Sequence, residues 1–193
     1  SNETREDGKA SGKNITISKE LSDNDLLKLW EDHLSGHQSV GLVAIDENNS
    51  CVWGAIDVDE YDIDLKDLAI KVAKQKLPLI LCRSKSGGAH LYIFLVEPVA
   101  ASMLQRKLRQ LAAAIGYGQT EIFPKQTQLL LDRGDRGSTL NMPYFGGEHS
   151  TRYAYGKDGE VLSPQEFLNY AKELELSSST LERLEASPLN ETL

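Results

Sequence analysis

Cysteine is nearly missing from this chain. Cys51 and Cys82 are its only two, and both sit inside apolar runs. A disulfide framework is thereby excluded, and the pair reads as buried free thiols in a reducing cytoplasm. The four histidines are scattered and share no zinc-ligand spacing with the cysteines, which argues against a structural zinc site. Long apolar runs are also missing: none nears the roughly 20 residues of a membrane span, and no secretory leader is visible. Basic charge is not in excess. The net charge of -8 weighs against a strong duplex-binding domain, because non-specific nucleic-acid binders are usually basic. It leaves room for an enzyme with a locally basic groove and metal-binding acids. No Gly-x-Gly-x-x-Gly fingerprint, Walker loop or internal repeat occurs, so Rossmann and P-loop readings are weak.

What is there suits a globular fold. Hydrophobic residues make up 40% and charged residues 26% of 193, enough for one domain or two small modules. Ser1-Asn2 resembles a protease scar, and the whole reads as a domain cut from a longer protein. Residues 1–13, rich in Gly, Ser, Lys and Glu, are expected to be disordered. Ser22 caps a helix ending near Gly36, with Leu26, Leu29, Trp30, His33 and Leu34 at helical spacing. His33 and His37 near its end read as surface or capping groups. Val40–Ile45 and Cys51–Asp57 are expected to pair as a hairpin around the turn 46–50. Asp64 caps a helix to Gln75 with Leu65, Leu68, Ala69 and Val72 inward. A buried strand at 78–82, a turn at 84–89, a strand at 90–96 and a helix at 98–115 follow. Short strands are expected at 120–123, 128–131, 138–142 and 152–155. Ser163, Pro164 and Glu166 open the last helix with a capping box. This succession predicts an α/β or α+β domain with a mostly antiparallel or mixed sheet.

Three places can carry chemistry. In Trp53-Gly-Ala-Ile-Asp-Val-Asp59, strand alternation turns Asp57 and Asp59 to one face and Ile56 and Val58 to the other. The two carboxylates start roughly 6.6 Å apart along the strand. They repel unless a cation lies between them, or they open a solvated acidic turn with Glu60, Asp62 and Asp64. Arg83-Ser-Lys-Ser-Gly-Gly-Ala-His90 is a basic, Gly-rich loop leading to a strand histidine. Its N–H groups can form an anion nest, with Arg83, Lys85 and Ser86 adding phosphate contacts and His90 donating to a phosphate oxygen. The plain alternative is a turn and a structural histidine. Thr120-Glu-Ile-Phe-Pro-Lys-Gln126 presents Glu121, either a surface acid or a third carboxylate. Three acids, two from one strand and one from another, are what a two-metal phosphoryl-transfer centre needs.

In order, Ala55-Ile-Asp-Val-Asp59, Gly88-Ala-His90 and Glu121 resemble the hhDhD/E, small-x-His and third-acid motifs of the archaeo-eukaryotic primase superfamily. Glu121-Ile-Phe-Pro-Lys-Gln126 and Gly137-Ser-Thr-Leu-Asn-Met-Pro-Tyr144 resemble in particular the primase-polymerases of TOTE conflict systems and related CRISPR-associated or mobile-element proteins. The resemblance covers roughly residues 22 to 156. It implies a two-module catalytic core over 14–176, one module RRM-like, with mixed sheets and the site in the cleft between. Residues 177–193 are then a flexible tail or the start of a linker to fused helicase, priming or defence modules. It implies a DNA primase-polymerase acting on single-stranded or primed DNA with dNTP or NTP. Asp57, Asp59 and Glu121 would hold two Mg2+ or Mn2+ ions and His90 would contact the nucleotide's phosphates. Arg83, Lys85, Ser86, Gly88, Lys125 and Asn141 are looser candidates for nucleotide or template contacts. The small residue before the histidine is Gly88 where eukaryotic members often carry serine, and no zinc-binding module is visible, so primer extension is expected before initiation. The competing readings are a metal-dependent nuclease and a non-catalytic nucleic-acid-binding module. Lys125 lies four residues past Glu121, not at restriction-type Glu-x-Lys spacing. A glycosyltransferase has only the Asp-x-Asp in its favour.

Overall fold

A computed structural model of the chain describes residues 15–17 and 20–185, with the backbone of 3–4 and 10–11. The latter pair as two short strands, β1 (Glu3–Thr4) and β2 (Ala10–Ser11). The remainder of the leader expected to be disordered, and residues 186–193 of the expected tail, lie outside the described residues.

Helix α1 (Asp23–Leu34) begins at the reciprocal cap of Ser22 and Asp25. Strands β3 (Gly41–Val43) and β4 (Ser50–Val58) follow. The turn between them is held by Asp46, whose carboxylate accepts from the Asn48 and Ser50 N–H groups. Helix α2 (Leu65–Lys74), capped by Asp64, buries Leu65, Leu68, Ala69 and Val72, the four positions its period predicts. Next come β5 (Ile80–Arg83), β6 (Ala89–Ala100), α3 (Ala101–Ala114), β7 (Glu121–Phe123) and β8 (Thr139–Asn141). Helices α4 (Pro164–Leu174) and α5 (Ser178–Arg183) close the described chain, α4 with the expected Ser163–Glu166 capping box.

Strands β4 to β7 form one antiparallel sheet in the order β5-β6-β4-β7. With α2 after β4 and α3 before β7, residues 50–123 make the β-α-β-β-α-β unit, which is the RRM-like module. Alternation gives its faces different neighbours. Ile56, Val58, Leu91, Ile93 and Ile122 join the larger core with α2, α3 and Leu181 of α5. Ala55, Cys82, Tyr92 and Phe123 join a second core with Leu140, Met142, Tyr144 and Leu162, against which Phe167 and Leu174 pack. The second face is therefore covered by the β8 region and α4. Among the described residues no helix is long and apolar enough to cross a membrane.

Several expectations are corrected. Strand β3 does not pair with β4, because both edges of β4 are taken by β6 and β7. It pairs with β8 instead, Gly41 opposite Asn141 and Val43 opposite Thr139. A Cβ on Gly41 would meet the methyl of the exposed Thr139, which has to turn aside to admit it. Pro98 lies in β6 rather than opening α3. Pairing of Cys51 with Val99 carries the strand past it, and a register shift falls between Cys51 and Trp53; a proline without a ladder donor fits such an irregularity. Segments 128–131 and 152–155 form no strands; the former leads into a 3-10 turn at Leu131–Arg133 and the latter makes only isolated bridges. Residues 177–185 are not a free tail. Ser177 caps α5, Leu181 is fully buried, and Lys107 Nζ donates to the Glu182 and Leu184 carbonyls. On α1 the inward residue is His33, fully buried, while Leu26, Trp30 and Leu34 are exposed. His33 is thus no surface group: Val40 N–H donates to its Nδ1 at 2.9 Å, which leaves Nε2–H to donate to the Pro143 carbonyl at 2.7 Å.

Candidate active site

The register of the four-stranded sheet assembles the site. Asp57 on β4 stands opposite His90 on β6 and, on its other side, opposite Glu121 on β7. Cys82 on β5 extends the row beyond His90. Directly paired residues of an antiparallel sheet share a face, so Glu121, Asp57 and His90 stand side by side on the face opposite α2 and α3. Three motifs far apart in sequence thus reach one row of three adjacent strands.

Asp57 and His90 are mostly buried, with Asp57 Oδ1 3.3 Å from His90 Nε2. The approach is misaligned for a hydrogen bond, and Oδ1 is left buried without a hydrogen-bond partner. On the far side of the ring, His90 Nδ1 lies 3.2 Å from the Tyr92 hydroxyl, which donates to the Asn141 carbonyl at 3.2 Å. Since that hydroxyl gives its proton to the carbonyl, Nδ1 is the donor toward Tyr92. Nε2 is then the nitrogen that faces the carboxylate. Burial, with Cys82 and Asp57 nearby, holds the Tyr92 phenol well above its ordinary range, against the opposing pull of Arg152. It acts as a fixed hydrogen-bond bridge.

Asp59 lies one residue past the end of β4 and is exposed. Glu121 is exposed and paired with Lys125 at 2.6 Å, whose ammonium also sits 5.0 Å from the Phe123 ring centroid. Among the described residues, no three His, Cys, Asp or Glu side chains converge closely enough to hold a metal as they stand. The donor set nonetheless suits a hard divalent cation, because the residues at hand are carboxylates and one buried carboxylate oxygen lacks a partner.

The loop between β5 and β6 is a tight turn. Ser84 N–H donates to the Gly88 carbonyl and Gly87 N–H to the Ser84 carbonyl. Gly87 takes φ +99°, a left-handed conformation suited to glycine. Gly88 has a different reason. A Cβ there would overlap the Val58 carbonyl oxygen and sit 3.3 Å from that of Glu60, so the missing side chain lets the end of β4 lie against the turn. Lys85 and Ser86 are exposed at the tip. Arg83 is opposite Ala89, on the other face from His90, and its guanidinium donates to the Thr151 carbonyl. Asn141 is exposed on β8 and contributes its carbonyl to Tyr92.

Sequence reasoning missed Tyr92 beside the row, and two further buried polar groups. Tyr92 is two residues past His90, so period-2 alternation already places it on the same face. Ser84 and Arg152 are buried and polar; Ser84 lies within the basic Gly-rich loop, where Arg83, Lys85 and Ser86 drew the assignment, and Arg152 belongs to no recognisable motif. Both cysteines are free and buried as expected; burial, reinforced by Asp46, pushes the Cys51 thiol up to about 12.

All of these residues fall within the part of the chain, 5–177, that matches the family described as TOTE conflict system, Archaeo-Eukaryotic Primase domain. No curated protein matches the chain. The family match spans most of the sequence and contains both the RRM-like sheet and the Glu121–Asp57–His90 row, and on that ground the chain belongs to the archaeo-eukaryotic primase domains of the TOTE conflict system.

Proposed function

We propose that this primase-family domain is a template-directed nucleotidyltransferase, a primase-polymerase core that extends a primed DNA strand from nucleoside triphosphates. The observation that carries the reading is the row itself. Two acids and a histidine from three strands share one face, at a sheet end where Asp59 and the Lys85–Ser86 turn tip reach solvent.

Each residue has a role suited to its place. Asp57, Asp59 and Glu121 would hold Mg2+ or Mn2+, with Glu121 exchanging its Lys125 partner to do so. The orphaned Asp57 Oδ1 supports this, because a buried carboxylate oxygen without a partner carries a desolvation penalty. Such ions, when bound, acidify an attacking hydroxyl and neutralise phosphate charge. His90, its Nδ1 fixed by Tyr92, would donate from Nε2 to the phosphates of the incoming nucleotide as an imidazolium, since the neutral tautomer with its proton on Nδ1 has no hydrogen on Nε2. Lys85 and Ser86 at the turn tip, Lys125 and Asn141 supply further nucleotide or template contacts.

The test is extension of a primed template with dNTPs or NTPs and Mg2+ or Mn2+. The wild-type domain should extend the primer, and Asp57→Ala with Asp59→Ala should abolish extension. Undiminished extension by the double variant would sink the proposal. Degradation of labelled DNA without incorporation would favour a nuclease instead.

A further inference from the structure

Helix α1 leaves an apolar face uncovered. His33 is its one buried residue, with Leu29 half-buried beside it. Among the described elements no other helix or strand packs along its length. The helix is moored near its C-terminal end, where the His33 ring bonds to Val40 and Pro143 and meets Trp30 and Phe145 edge-on. The His33 carbonyl accepts from the Gly146 N–H there. Leu26, Leu27, Trp30 and Leu34 meanwhile stand between 40% and 58% exposed. At about 100° per residue, these four fall within one arc about 100° wide. That is the width of an ordinary core-facing stripe, yet this one faces solvent. One exposed leucine is unremarkable, but four apolar side chains in one arc mark a docking surface.

Charge says what fits it. Asp23 lies within the same arc at its N-terminal end, and Glu31 borders it. Both are exposed, and none of the ion pairs among the described residues includes either. The one lysine of the helix, Lys28, points away from the arc and is paired with Asp32 at 3.0 Å. A second copy of α1 would bring acid to acid, and like charges oppose that pairing. Anionic membranes and nucleic acids are repelled in the same way. Helices that bind such surfaces set Lys and Arg, not acids, beside the apolar stripe. A basic amphipathic helix satisfies both the apolar arc and its acidic border.

We infer that α1 docks a basic amphipathic helix of a partner protein. Apolar residues of that helix at three- and four-residue spacing would pack on Leu26, Leu27, Trp30 and Leu34. Lys or Arg beside them would pair with Asp23 and Glu31. The 12 residues of α1 span about 18 Å, so a partner segment of about three turns covers it. This surface goes beyond nucleotidyl transfer, and it needs none of the residues on the sheet face.

The experiment is calorimetric titration of the domain with a synthetic Leu-Lys peptide whose leucines line one helical face. The matching Leu-Glu peptide is the control. The Leu-Lys peptide should bind, and the Leu-Glu peptide should bind at least about tenfold more weakly. Leu26→Ser with Leu27→Ser should weaken Leu-Lys binding about ten- to hundredfold. Asp23→Asn with Glu31→Gln should bring the two peptides to similar affinity. Leu168→Ser, at an exposed leucine of α4, should change neither. Should the serine pair not fold, Leu27→Lys decides, because Leu27 is the most exposed of the four; it should weaken Leu-Lys binding at least about tenfold. No binding of the Leu-Lys peptide, equal binding of both peptides by wild type, or affinity indifferent to the α1 variants overturns the inference. Sedimentation of wild type as a dimer that Leu27→Lys dissolves gives the face to a second copy and overturns it. Phosphatidylglycerol vesicles bound by wild type but not by the serine pair give it to a membrane and overturn it as well. Primer extension should be alike in wild type and the α1 variants. Its absence from all of them would sink the nucleotidyltransferase reading and leave the docking face standing.

Discussion

Replacing Tyr92 by phenylalanine removes one oxygen atom from the centre of the site. The side chain is 1% exposed, and its ring packs with centroids 6.0 Å from Trp53 and 6.1 Å from Phe94. Phenylalanine keeps those contacts and opens no large cavity. The loss is confined to the hydrogen bonds with His90 Nδ1 and the Asn141 carbonyl, both 3.2 Å. At about 0.5–1.5 kcal/mol net for each bond, the substitution should cost about 1–3 kcal/mol. In a chain of this size that lowers Tm by roughly 2–12 °C. The functional consequence is separate. With its hydroxyl partner gone, His90 loses the bond that orients Nε2, so the nucleotide KM should rise while template affinity holds. Thermal unfolding reads the first effect and steady-state primer extension the second. A double-mutant cycle with His90→Gln should be non-additive, because the two residues share one hydrogen bond. Unchanged Tm and KM in Tyr92→Phe would refute the positioning role, and strict additivity would place His90 and Tyr92 in separate tasks.

Three further substitutions or conditions probe the frame around the site. Gly88→Ala puts a methyl against the backbone of Val58 and Glu60, which cannot rotate away, so the turn must lift from β4. The cost should be about 1–3 kcal/mol in urea unfolding, as for other overpacked positions, with extension lost more than in Ser86→Ala at the exposed tip; equal stability to wild type would contradict the close approach. Leu181→Ala should cost about 2–5 kcal/mol, and a change below about 0.5 kcal/mol would show that α5 docking is dispensable. His33 is held below its ordinary value of 6.5 chiefly by burial, with Arg152 pushing the same way and the Pro143 bond opposing. The unfolded chain therefore takes up this proton before the folded one does. The stabilisation is complete above pH 6.5 and is lost as pH falls toward the depressed folded value. Its slope is at most about 1.4 kcal/mol per pH unit. Unfolding free energy measured from pH 8 to 5 should fall more steeply for wild type than for His33→Gln, and parallel curves would reject the assignment.

Local signals in the sequence were reliable where the structure they encode is local. The capping boxes at Ser22 and Ser163, and the apolar period of α2, translate directly into observed elements. They fail where partner choice is made across the chain. Adjacent strands around a good turn suggest a hairpin, yet β3 joins β8, almost 100 residues away in sequence, because the edges of β4 are filled. The leucines of α1 mark a helix but not its inner face, since the inner position is taken by His33, satisfied by Val40 and Pro143. The terminal helix α5 is short and its apolar positions few, so only its docking on α3 and β6 reveals it as part of the core.

The site divides along the same line. Asp57, His90 and Glu121 carry their chemistry in residue type and short spacing, so each could be picked from its motif. Their alignment in one row depends on the β6-β4-β7 register, a property of three strands drawn from over 60 residues of chain. Tyr92 was recoverable from alternation once His90 was placed on a strand. Arg152 was not, because nothing around it in sequence says that it is buried or that its partners Ser39 and Phe145 are neutral. Those are facts about unmet demand, visible only after packing is known. A motif shows which groups can act; only packing shows that a buried Asp57 oxygen is left without a partner while the strand register brings Glu121 and His90 to either side of that residue.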